Sequence, residues 1–347
     1  MSGVVVLRVG RWLSLPVGTR FLVILPLLLV ALVVSGWFGL NIGVAQTQLG
    51  DALAALFLPV HQLSDSAKTV AQFRLPRVAV ACLGGAMTAA SGYLLQVVSR
   101  NGLADPGILG LSDGAVVAVM LAGALVAVPI APGMLSVIAL GGSLLTAMLV
   151  LGLGRHLLVG GGILLVGVSV NLVLGAVIEL ILVSGDMMQF SQLMTFQRGT
   201  LASVNQSDMH LLALWFTILM PILLLVSRTL LPLLMGHEAA RALGLNTRLV
   251  YPLLVLLAAA LAAPVVATCG PIAFVGLMSA YIARRLVGDR PTEVLLTGMV
   301  CGAIILLWAD SVGRSLFAPV SVPAGIMVSV VGVLTFVLAA QLGRKSR

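Results

Sequence analysis

Apolar residues in this chain do not alternate and do not mark a single helix face; they run on without interruption. Ten such runs can be traced: residues 21–40, 78–98, 113–129, 132–152, 162–183, 210–230, 250–268, 271–287, 294–313 and 322–342. A helix rising 1.5 Å per residue needs about 20 apolar residues to cross a hydrocarbon core. The pattern therefore predicts an all-α polytopic membrane protein with about ten transmembrane helices. It reads as one transmembrane domain over 21–343 behind an N-terminal segment, 1–20. Two runs break the pattern. The third is short and ends near Pro129 and Pro132, and the eighth opens on Gly270-Pro271 and is interrupted by Gly276. Both are expected to be tilted or broken helices. The first run is long enough to span and lacks a small-residue cleavage site, so it reads as a span and not as a signal peptide.

Composition sharpens this. Of 347 residues, 60% are hydrophobic and 9% charged, against about 25% charged in soluble domains. That excludes an ordinary soluble enzyme, a nucleic-acid binder and a disordered chain. The 38 glycines follow no triplet period, and no charged heptads appear, which excludes collagen and coiled coils. The net charge of +8 is topological. With the N-terminus inside, the cytoplasmic loops hold Arg8, Arg11, Arg20, Arg100, Arg155, Arg228, Arg241, Arg248, Arg284, Arg285, Arg290, Arg344, Lys345 and Arg347. The outside holds Lys68, Arg74, Arg77, Arg198 and Arg314. Fourteen against five satisfies the positive-inside rule, and the inverse orientation violates it. Both termini are then expected in the cytoplasm.

Some polar residues depart from that economy. Arg74 and Arg77 flank Leu75-Pro76 before the second run, and Arg314 ends the ninth. Such arginines either bind lipid phosphates and helix ends or form a docking surface for an acidic partner. The fifth run contains Ser169, Asn171 and Glu179. A mid-membrane carboxylate costs about 2.5–3.5 kcal/mol, so it should face a cavity or a partner. Asp113 and Asp310 fall near run ends and read as helix-end or salt-bridge residues. Cys82, Cys269 and Cys301 show no CxxC pairing, and His61, His156, His210 and His237 are scattered. No zinc, disulfide or bare-iron site is expected. The segment Gly236-His237-Glu238-Ala239-Ala240-Arg241-Ala242-Leu243-Gly244 puts good helix formers between glycines. It predicts a short ordered helix inside a cytoplasmic loop, 232–249, which either lies on lipid or receives movement from a partner.

Several blocks, taken in order, resemble the permeases of the iron-siderophore, haem and cobalamin class of bacterial ABC importers (the FecCD type). They are Arg74-Leu75-Pro76-Arg77, Arg100-Asn101-Gly102-Leu103-Ala104-Asp105-Pro106-Gly107, Gly236 to Leu245, and Gly270-Pro271-Ile272-Ala273-Phe274-Val275-Gly276. Ile282-Ala283-Arg284, Ala309-Asp310 with Arg314, and Val322-Pro323-Ala324-Gly325 complete the series.

The resemblance implies a type II ABC importer permease fold in the bacterial cytoplasmic (inner) membrane, paired with a second permease subunit, identical or related. It implies two cytoplasmic ATPase subunits and a periplasmic or lipid-anchored substrate-binding protein, with membrane lipids around the chain and no nucleic acid. It assigns Arg74, Arg77 and Arg314 to binding-protein docking. Gly236, Glu238, Ala239, Ala240, Arg241, Leu243 and Gly244 fall to ATPase coupling, and Ser169, Asn171, Glu179, Gly270 and Pro271 to the translocation path. No cofactor is expected on this chain: it has no GxxxxGK[ST] motif, so ATP and Mg belong to the partner ATPase. The implied cargo is a metal chelate, a ferric siderophore first, with haem and cobalamin as alternatives. The resemblance also implies that helices 2–5 and 7–10 form an inverted repeat. Two other readings remain open from the residues alone: an ion- or proton-coupled transporter using Glu179, and a non-transporting membrane scaffold.

Overall fold

A backbone in lipid must satisfy its own hydrogen bonds, and a helix does so within one segment. The computed structural model describes residues 4–9, 13–42, 49–57, 62–125, 131–154, 162–184, 187–316 and 321–344. Arg11, Arg155, Lys345, Arg347, His61, His156 and the stretch around Pro129 lie outside the described residues. Seven helical runs are long and apolar enough to span: α1 (Thr19–Asn41), a run over Asp65–Ser99, α6 (Pro132–Gly154), α7 (Gly162–Ser184), α9 (Gln206–Ser227), α12 (Thr247–Cys269) and α14 (Pro291–Ser315). The second comprises α3 (Asp65–Thr69), a π-helical turn at Val70–Arg74, and α4 (Leu75–Ser99). Three more membrane helices, α5 (Leu111–Leu125), α13 (Val275–Val287) and α15 (Ala324–Arg344), bring the number to the ten read from the sequence.

Other elements have no counterpart in the sequence reading. An antiparallel hairpin, β1 (Val4–Val9) and β2 (Leu13–Gly18), pairs Val4 with Gly18 and Val9 with Leu13. Its β-branched run suits a pleated ladder, but it is far shorter than a span. The hairpin is tied to the bundle where the Gly18 N–H donates to Glu293 Oε1 at 2.8 Å. Helices α2 (Leu49–Phe57), α8 (Met187–Gln197) and α10 (Leu230–Met235) fill loops. Helix α11 (His237–Ala242) occupies the expected loop position.

Burial separates the helices by role. α1 and α7 present Val23, Leu27, Val33, Leu172, Leu180 and Val183 outward, as lipid- or partner-facing helices do. α4, α12 and α14 are buried along most of their length. The packing has a two-fold logic: α4 packs on α13 and α14, and α12 packs correspondingly on α5 and α6, while α4 and α12 cross each other. Helices α4–α7 and α12–α15 thus form equivalent sets. α4 runs from Arg77 to Arg100, which bonds to the α10 carbonyl of Leu233. α12 starts beside α11 and runs the opposite way. We refer to the two ends of the bundle as the arginine end and the loop end.

Lengths place the breaks. α5 has 15 residues and α13 has 13, or about 22 and 20 Å of helix, short of a hydrocarbon core of about 30 Å. The missing lengths are irregular segments entering from opposite ends. Residues 101–110 return from the loop end, and residues 270–274 return from the arginine end. They meet near mid-depth, where a Cβ on Gly107 would lie 4.0 Å from Ala273 Cβ. Gly110 abuts the backbone of Asn171, close to the middle of α7. Irregular backbone at this depth is tolerated where protein or a cavity surrounds it.

Candidate functional site

Three regions carry the polar chemistry. At the arginine end, α1 finishes with unpaired carbonyls, and two arginines from neighbouring helices meet them. Arg74 Nη1 donates to Leu40 O at 2.9 Å and to Asn41 O at 3.1 Å. Arg314 Nη2 donates to Gly39 O. Cations at a helix C-terminus complement its dipole. Arg77 binds Asp310 as a fork: Nε lies 3.0 and 2.7 Å from the two carboxylate oxygens, and Nη2 lies 2.6 Å from Oδ1. The side chains of this pair are 16% and 3% exposed, and Arg74 is 5% exposed. The structure therefore brings Arg74, Arg77 and Arg314 together, each with at least one donor spent on the end of α1 or on Asp310, while Arg314 Nε has no partner among the described residues. Asp310, read as a span-end residue, is the buried counter-charge that organises the group.

At mid-depth a cavity of about 370 Å³ opens between the two irregular segments, the α8–α9 turn and α15. Asp113, Arg198, Pro271, Ala273, Ile326 and Ser329 are among its lining residues. Its wall toward the arginine end is a three-way junction. The Thr200 N–H donates to Cys269 O at 2.7 Å, and the Gly325 N–H to Gly199 O at 2.9 Å. Gly270 turns the chain there with φ +75°, and a Cβ on it would overlap Phe196 O. Both conditions require glycine. Phe274, at φ +68°, then starts α13 from a left-handed conformation that is costly for an aromatic residue.

The pathway residues named from the sequence divide. Gly270 and Pro271 adjoin the cavity. Asn171 turns toward α5, where its amide nitrogen, oriented as a donor, lies 2.5 Å from Asp113 Oδ2 and 3.3 Å from Gly107 O. Ser169 and Glu179 are exposed on the outer surface of α7, and the Ser169 hydroxyl is spent on Leu165 O of its own helix. The helical period puts Asn171 and Glu179 on one side only loosely, since eight residues leave them about 80° apart. Asp113 was legible as an acidic residue opening an apolar run, but the run could not show that α5 starts at mid-depth. Among the described residues no cluster of His, Cys, Asp and Glu could hold a metal.

At the loop end, α11 is bracketed by Gly236 and Gly244. Ala240 packs inward, whereas Glu238, Arg241 and Leu243 face out, Leu243 being 63% exposed. Arg100, the C-cap of α4, donates to Leu233 O at 3.2 Å. The His237 ring stacks on Tyr251 of α12 with centroids 6.0 Å apart. The loop helix is thus fastened to α12, and the preceding α10 to α4, while the outer face of α11 is bare.

Comparison with known proteins adds the following. Residues 27–341 match the model of the FecCD transport family. The chain is 33% identical over 314 residues to the Fe(3+)-citrate import system permease protein YfmE of Bacillus subtilis, covering 89% of this chain and 92% of that protein. It is 30% identical to the iron-uptake system permease protein FeuC of the same organism, covering 89% and 94%. Among solved structures, a metal-chelate-type ABC transporter in an inward-facing conformation aligns with TM-score 0.79 and 26% identity, covering 92% of this chain and 99% of that one.

Proposed function

Because the chain belongs to the FecCD transport family, we propose that it is the membrane-spanning subunit of an ATP-driven importer carrying an iron chelate, a ferric siderophore first, into the cytoplasm. The observation that carries this reading is the loop helix. Glu238, Arg241 and the exposed C-cap Leu243 stand on a helix held to α12 by the His237–Tyr251 stack, next to α10, which Arg100 ties to α4. A bare amphipathic helix anchored to the buried core suits the docking of an ATPase and the passing of its movement inward.

In this proposal the loop end is cytoplasmic, as the fourteen-to-five basic bias favours. ATP and Mg sit on two ATPase subunits. The exposed apolar faces of α7 and α15 meet a second permease subunit, and the chelate passes by the mid-depth cavity. A binding protein docks at the arginine end. The three arginines face one aspartate there, so they act on an acidic partner chiefly through their field, as steering charges. Coupling through Glu179 to an ion gradient is not favoured, because the chain belongs to the FecCD transport family and the cavity lining does not include that carboxylate.

Purification of the tagged chain from its host in gentle detergent tests the proposal. A P-loop ATPase is expected in stoichiometric amount, and an intact complex without one would overturn the reading. Glu238→Arg is expected to lower substrate-stimulated ATP hydrolysis by roughly tenfold, since a reversed interface charge costs more than about 1.4 kcal/mol. Unchanged stimulation would remove Glu238 from the coupling surface.

A further inference from the structure

The mid-depth cavity contains a carboxylate that no basic side chain neutralises. Asp113 stands half-buried in the first turn of α5, and among the described residues it makes no ion pair. Its polar partner is the Asn171 amide, which orients the carboxylate without cancelling its charge. The N-terminus of α5 favours a negative charge here. Even so, a carboxylate at this depth costs about 2.5–3.5 kcal/mol unless a cavity or a partner receives it, and the cavity is what it faces. The remaining wall combines apolar Ala273, Ile326 and Val330 with the neutral polar residues Ser112, Gln197 and Ser329, and exposed Arg198 stands at the rim. Along α15, Gly325 abuts Arg198 O and Gly332 abuts Phe274. Ser329 therefore lies between the rim and the break, about one helical turn from each.

We propose that this cavity is a polar subsite of the transport path, in which Asp113 accepts a cationic or N–H-donating group of the passing chelate and Arg198 meets acceptor oxygens at the rim. The inference rests on the permease reading and deepens it. The cargo it fits carries ammonium, guanidinium or amide donors beside its metal-binding oxygens, and a uniformly anionic cargo is disfavoured. Asp113 acts by direct contact, and Asn171 is the positioning residue that aims it.

The test uses Ser329→Cys in the full complex, with the native protein as the background for its own three cysteines. The rates of modification by a cationic and an anionic methanethiosulfonate reagent, each divided by that reagent's rate with a small free thiol, are compared. The cationic reagent is then expected to react faster by about fivefold or more, the effect of a unit negative charge lining the same cavity at intermediate dielectric. Asp113→Asn, which is isosteric, should bring the ratio close to one, and Arg198→Gln should raise it. A ratio unchanged by Asp113→Asn, or a cysteine at 329 that reacts with neither reagent in any nucleotide state, would overturn the proposal. Modification requires no turnover. An importer reading that failed for want of ATP hydrolysis would leave the ratio intact, so the two failures can be told apart.

Discussion

Replacing Gly85 with valine is expected to abolish accumulation of the folded protein in the membrane, while the same change at adjacent Gly84 leaves most of it in place. The contrast comes from what each position touches. A Cβ on Gly85 would overlap Gly302 O and lie 2.7 Å from Gly302 C and 2.9 Å from Ala303 Cα. These are backbone atoms of α14, which cannot rotate aside as a side chain can. A Cβ on Gly84 would meet only side-chain methyls, Val265 Cγ1 at 3.3 Å and Leu306 Cδ2 at 3.8 Å. α4 and α14 cross here by direct backbone contact, the small-residue packing that replaces hydrophobic drive between helices in lipid. Separating them would also loosen the neighbouring contact of Gly92 with Gly276, which seats the start of α13 at the break. Overpacking typically costs about 1–3 kcal/mol, and more where backbone must move. Gly85→Ala grades the effect and Gly84→Ala is the control. In Gly84→Ala the gain of up to about 1 kcal/mol in helix propensity should offset mild crowding. Fluorescence-detected size-exclusion profiles of all four variants, with thermal midpoints, give the measurement. Equal behaviour of the two positions would show that the crossing is not limited by Gly85.

The same crossing shows what a sequence can and cannot reveal here. Spans are legible because crossing lipid demands a fixed length of apolar residues, and each of the ten runs falls on a helix among the described residues. The two flagged by their length and Gly-Pro content, at 113–129 and 271–287, are the two half-length helices α5 and α13. Which face of a run packs inward was not legible. α1 and α12 are similarly apolar, yet α1 is largely exposed and α12 largely buried. In lipid both environments favour the same residue types, so periodicity carries little contrast. The spacing of Gly298 and Gly302 on α14 was the available hint of a buried crossing. The meeting of residues 101–110 with 270–274 lay beyond the sequence altogether, because it joins segments from opposite ends that share only a loose pattern. That meeting is what places Asp113 against a cavity and leaves Glu179 outside it.

Asp310→Ala is expected to destabilise the protein by about 3–5 kcal/mol, the cost of leaving a buried arginine without its counter-ion. Three donor–acceptor contacts between 2.6 and 3.0 Å join Arg77 to Asp310, and both side chains are largely removed from solvent. Arg314 and Arg74 stand nearby, bound to the last carbonyls of α1, so loss of the aspartate exposes three like charges to one another. The pair is not thereby a large net source of stability. Replacing both partners with apolar residues of similar size avoids the unpaired charge and is often neutral or favourable. The double variant Arg77→Met with Asp310→Leu should therefore recover most of the stability lost in Asp310→Ala, read as the thermal midpoint in detergent. It also separates the two roles open to this end of the molecule. The exchange removes one positive and one negative charge, so the net charge of this end is unchanged, and association with an acidic partner at low salt should stay within about twofold. A large loss of association in the folded double variant would make Arg77 a contact residue in its own right. Retained association would leave Arg77 and Asp310 as the clamp that holds α4 and α14 together beneath the docking face.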